Sequence, residues 1–155
     1  MREAEAEAIE AVKSRFELGG SLDTPTVSAS RIEQAFLRSR LFGSSPRGTC
    51  CICGEEYPTD LLVAAHFKKR SHCLLEAQLD FDHIAGAMCL IGCDALYERG
   101  YICVDGTGQV QIGPVSLPAN GLSTVLQRLV AKPCGRWNAD TEKYFGWHRS
   151  FHSPS

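Results

Sequence analysis

The chain has 155 residues, a length that predicts one domain or one domain with helical additions. With 44% hydrophobic and 22% charged residues it can bury a core, and wholesale disorder is excluded. Net charge is −2, but residues 31–73 carry seven Lys/Arg against four Asp/Glu, and residues 74–110 carry one against six. A basic stretch beside an acidic one suits a metal-dependent enzyme acting on a polyanion.

MREAEAEAIEAVK at the start is acidic and helix-prone, unlike a signal peptide. No apolar run is long enough for a transmembrane helix, so a cytoplasmic protein with no membrane partner is expected. Ile9, Val12 and Phe16 recur at helical spacing and predict a helix over 3–17, stopped by Gly19-Gly20. Residues 21–26 read as a linker. Ser28 or Ser30 can cap a second helix over 29–42, with Ile32, Ala35, Phe36 and Leu41 apolar and Gly43 closing it. LLVAAHF, 61–67, is short and apolar and predicts a strand. A short helix is expected over 94–99, ending at Gly100. YICV, DGTG and QVQI predict a β-hairpin. Leu122, Val125, Leu126 and Leu129 predict an amphipathic helix over 122–132, and a last helix is expected over 139–151.

Eight cysteines are the unusual feature. Without an export signal, reduced thiols and metal ligation are expected rather than a disulfide framework. Cys50-x-x-Cys53-Gly54 is a knuckle: a tight turn brings two thiolates onto one metal, and glycine allows the backbone geometry that follows. Cys89-x-x-x-Cys93 follows after 35 intervening residues. The two pairs predict a four-cysteine structural Zn2+ site, with Cys51 a competitor for Cys50. Cys73, Cys103 and Cys134 are expected to be core thiols.

Between the knuckles lie Ala64-Ala65-His66-Phe67-Lys68-Lys69-Arg70-Ser71 and Asp80-Phe81-Asp82-His83. After Cys93 comes Asp94-Ala-Leu-Tyr-Glu98-Arg-Gly100. Upstream is Arg31-x-x-Gln34-x-x-Leu37-Arg38, and near the end YFGWHR. Over about 31–112 this order resembles the HNH endonuclease family, in particular the bacterial branch with an A-A-H-I-K-x-R-S strand and an L-F-D-R-G helix. The resemblance implies an α+β fold: a zinc-stapled, treble-clef-like ββα-metal core over 50–112, with helical extensions at 1–49 and 113–155. It implies metal-dependent hydrolysis of DNA phosphodiester bonds, in a restriction, mobile-element or defence setting.

His66 matches the family's general base, for which a near-neutral pKa is suited. His83 stands where the family's middle Asn lies and would orient the loop or ligate metal. Asp94 and Glu98, four apart on one helix face, match the positions that hold a catalytic divalent cation such as Mg2+, Mn2+ or Ni2+. Ala65 departs from the Asp or His that many members carry before the base, leaving fewer protein ligands. Arg38, Arg40, Arg47, Lys68, Lys69, Arg70 and Arg149 are the expected phosphate contacts on double-stranded DNA. Specificity would come from loops, a homodimer or a partner. The alternative is a catalytically degenerate, zinc-containing DNA-binding module.

Overall fold

The computed structural model describes residues 2–17, 24–115 and 117–154, apart from the side chains of residues 2 and 24–28. Gly19, Gly20 and the first part of the expected linker lie outside the described residues. Two helices come first, α1 (Arg2–Glu17) and α2 (Thr24–Phe42). The second starts five residues before the expected 29, with Pro25 in its first turn, where proline's missing N–H costs nothing. Ser28 and Ser30 therefore lie inside it and do not cap it. The buried face of α1 is Ala8, Ala11 and Val12, and Phe16 is exposed. The small alanines let α1 pack closely on α2, which turns Phe16 outward and carries Arg15 inward.

Three antiparallel two-stranded sheets follow. The first pairs β1 (Arg47–Thr49) with β2 (Glu56–Pro58) and frames the first knuckle. The second pairs β3 (Leu62–His66) with β4 (Ala85–Cys89), in a register that sets Leu62 opposite Cys89 and His66 opposite Ala85. Between them lies α3 (Leu75–Gln78). After β4 comes α4 (Cys93–Glu98), within the expected short helix to one residue. The third sheet is the expected hairpin, β5 (Ile102–Val104) with β6 (Val110–Ile112). Its turn is built by Asp105, whose carboxylate accepts hydrogen bonds from the Thr107 and Gln109 amides. The chain ends with α5 (Asn120–Leu129) and α6 (Glu142–His152).

One hydrophobic core joins all three sequence segments, running from Ala8 and Phe36 through Phe67 and Met88 to Leu126 and Phe145. Phe67 and Phe145 stand 4.4 Å apart between ring centres at its middle. The helix α4 is fixed to the end of β3 because the buried Tyr97 hydroxyl donates to the Phe67 carbonyl at 2.6 Å. In turn, His148 of α6 stacks on the Tyr97 ring and donates from Nε2 to the Tyr97 carbonyl at 2.6 Å. The architecture is thus α+β: three small antiparallel sheets with helices before, between and after them in the chain. Among the described residues, no helix is long and apolar enough to cross a membrane.

Candidate metal centre and the surrounding charged groups

The knuckle forms as its spacing predicts. The Gly54 amide donates to the Cys50 carbonyl at 3.0 Å, and Gly54 takes a left-handed φ of +74°. The Cys89 amide donates to the Cys50 sulfur at 3.4 Å, tying the second pair to the first. The Sγ atoms of Cys50, Cys53, Cys89 and Cys93 all lie within 4.8 Å of one another. Ligands at about 2.3 Å from a tetrahedral zinc stand about 3.8 Å apart, so this donor set fits a structural metal such as zinc. The thiols already share protons. Hydrogen bonding from Cys50 and Cys93 drives Cys89 toward thiolate, while bonding to Cys50 and Cys89 holds Cys93 as thiol. Lys132, just beyond α5, donates to the Cys53 carbonyl at 3.1 Å and brings α5 over the cluster.

Cys51 does not compete with Cys50. It faces the other way, is buried, and shares a thiol hydrogen bond with Cys134, while the Gly135 amide donates to its carbonyl at 2.9 Å. Consecutive residues on an extended approach to a turn point to opposite sides, so only one of them can serve the cluster. Cys73, Cys103 and Cys134 are buried free thiols, as expected.

His66 ends β3, close beneath α2. Its imidazole is nine-tenths buried and its Nε2 has no hydrogen-bond partner. Burial lowers its pKa to about 4, against the opposing attraction of Glu33; Arg70 and Arg15 lower it further, and Glu98 raises it. Glu33, fully buried on α2, places Oε2 at 3.9 Å from His66 Nε2. Its Oε1 takes Arg15 at 2.8 Å and Arg70 at 3.1 Å. Reasoning from the sequence missed Glu33. The signal was present: it lies three and four residues before Phe36 and Leu37, so a carboxylate sits on the apolar face of α2.

His83 lies in the loop before β4. Its Nδ1 bonds Asp80 Oδ1 at 2.8 Å, and the Tyr144 hydroxyl donates to Asp80 Oδ2 at 2.5 Å. These groups line a cavity of about 560 Å3 with Lys68 and Lys143 on its walls. Asp94 and Glu98 do share α4. Burial, with Glu98 as a like charge, raises the pKa of Asp94, while Glu98 pairs with Lys69 at 3.1 Å. Among the described residues the four cysteines are the one group of three or more side chains that could hold a metal. Asp94 and Glu98 lie outside that group; where Mg2+ is held by one or two carboxylates, water and substrate phosphates complete its shell.

The expected phosphate contacts divide. Arg38 is a brace: its guanidinium donates to the carbonyls of Leu62 at 2.6 Å and Thr59 at 2.9 Å. Arg149 is likewise spent, on the Val104 carbonyl at 2.6 Å and the Glu142 carboxylate at 2.7 Å. Both guanidiniums are held on part-buried protein acceptors, from which a phosphate would have to draw them at a cost. Arg40 pairs with Asp82 at the surface. Lys68 lies 5.5 Å over the Trp147 ring, and Lys69 bonds Glu98. Arg47 is exposed on β1. No family model matches the chain, and no curated protein matches it.

Proposed function

We propose that the chain hydrolyses phosphodiester bonds of double-stranded DNA, with β3, β4 and α4 forming a zinc-stapled ββα unit of the HNH kind. One observation carries the reading. The four-cysteine cluster closes the same strand pair and helix that hold His66 at a strand end, one residue before the run Lys68, Lys69 and Arg70. Zinc is the metal that a compact thiolate set of this size favours. Its role is structural, since a four-thiolate site leaves no open position for substrate.

In this reading neutral His66 takes a proton from water, the water oxygen attacks phosphorus, and the 3′ oxygen leaves. Burial lowers its pKa to about 4, which leaves His66 unprotonated at neutral pH but a weak base until a partner raises it. Lys68 and Arg70, two and four residues after His66, would hold flanking phosphates, positioning the duplex without reading its sequence. Asp94 and Glu98 on α4 would hold a divalent cation together with water and phosphate oxygens, and it would neutralise charge on the leaving oxygen. Plasmid cleavage across Mg2+, Mn2+ and Ni2+, with His66→Ala as control, tests the proposal. Cutting by the wild type and none by the variant is expected; equal cutting by both overturns it.

The buried, unpartnered Nε2 of His66 favours a second reading, a zinc-containing DNA-binding module without catalysis. It predicts salt-dependent DNA affinity and no cleavage with any metal.

A further inference from the structure

Glu33 and His66 face each other in the interior with one unpartnered atom each, Oε2 and Nε2, 3.9 Å apart. A hydrogen bond would need about 2.7–3.2 Å. A buried polar atom without a partner is costly, so an arrangement that closes the gap removes two penalties at once. What holds the gap open is on the other oxygen. Both arginines bind Oε1 and meet the carboxylate's charge there.

The two arginines differ. Arg15 is 10% exposed and is also held by Ser30 Oγ at 3.0 Å and by Gln78 Oε1. Arg70 is 36% exposed and reaches Glu33 with a single nitrogen from a one-turn 3-10 helix, Arg70–His72, beside Lys68 and Lys69. Arg70 is therefore the exchangeable partner. A phosphate offers a guanidinium two oxygens at once, and bidentate pairing of that kind is the stronger geometry.

We propose that Glu33 is the positioning residue of His66 and that Arg70 couples the pair to substrate: a phosphate that captures Arg70 frees the Glu33 carboxylate to bond His66 Nε2–H. The proposal rests on the hydrolase reading only for the use to which the pair is put. With Nε2–H on Glu33, Nδ1 becomes the basic nitrogen of the ring, and a proton taken there gives an imidazolium balanced by the carboxylate. The remaining charged groups that bear on His66 are Arg15 from α1 and Glu98 from α4. Both stay in place when Arg70 leaves.

The test follows the imidazole of His66 in the zinc-loaded full chain by ring-nitrogen NMR over pH, with and without a short double-stranded oligonucleotide. In the wild type the oligonucleotide is expected to move the His66 titration upward by about one pH unit or more. Glu33→Gln should abolish that response, and Glu33→Asp should restore part of it. Arg70→Gln should titrate high without any oligonucleotide and respond no further. An unmoved wild type overturns the proposal, and so does a Glu33→Gln protein that shifts as far as the wild type. If Glu33→Gln does not fold, Arg70→Gln decides: a His66 titration unchanged from the wild type overturns the coupling. Plasmid cleavage measured in parallel separates the two ideas. A shift without cleavage keeps the pair and removes the hydrolase; cleavage without a shift does the reverse.

Discussion

Replacing Cys93 by alanine, with Cys103→Ala beside it, isolates what the thiolate cluster contributes to folding. Both cysteines are buried to nearly the same degree, 4% and 8% exposed, so the packing lost is alike, on the order of 1 kcal/mol each. Cys93 belongs to the cluster and Cys103 does not. A structural zinc supplies roughly 10–16 kcal/mol of apparent folding free energy, against a total of about 5–15 kcal/mol for a whole domain. The physical origin is visible in the chain. Metal joins Cys53 to Cys89 across 35 residues, and closing such a loop costs about 3 kcal/mol of entropy in its absence. Cys93→Ala leaves three thiolates and an open position. Its melting temperature should fall by more than about 15 °C, while Cys103→Ala falls by only about 3 °C. Thermal melts by circular dichroism, with zinc per chain measured by colorimetric release, read both. Equal losses in the two variants, or a metal-stripped wild type as stable as the loaded one, would refute the reasoning.

Acid should unfold the protein before its carboxylates account for it. Burial lowers His66 and His148 to about 4, below the ordinary value near 6.5, so the unfolded chain binds protons that the folded chain refuses. Stability is therefore full above pH 6.5 and lost as pH falls toward 4, by about 3 kcal/mol per histidine; denaturant midpoints at pH 7 and pH 4.5 check this, and an unchanged midpoint contradicts it. Arg38→Ala should cost roughly 2 kcal/mol, because two carbonyls lose a charged donor. The same variant should leave the salt slope of DNA binding unchanged, and a reduced slope would return Arg38 to the phosphates. Gly113→Ala should cost roughly 3 kcal/mol or more, since its Cβ would meet the Gly100 carbonyl oxygen. Gly121→Ala, on α5 with open space at the same position, should be neutral or stabilising by up to about 1 kcal/mol; urea melts of the pair compare them.

The elements that local physics dictates were legible in the sequence. Alternation and an aspartate–glycine turn specify the β5–β6 hairpin, and apolar spacing specifies the face of α5 that buries Leu126 and Leu129. The knuckle spacing, with Gly54 at a left-handed φ, specifies the Cys50–Cys53 turn. Each of these signals spans fewer than about a dozen residues, and neighbouring side chains enforce it.

The charged groups were less legible. Arg38 reads as a surface cation because composition cannot show that it meets the carbonyls at the start of β3. That Cys51 turns to Cys134 and Cys50 to the cluster depends on a segment more than eighty residues away. The buried contact of Glu33 with His66 joins α2 to the end of β3, and Arg15 and Arg70 complete it from two further elements. The sequence alone determined the thiol spacing, the β5–β6 hairpin and the candidate histidine. Only the tertiary structure decided which charges are buried, because burial depends on what the rest of the chain places opposite each side chain, and no local period encodes that.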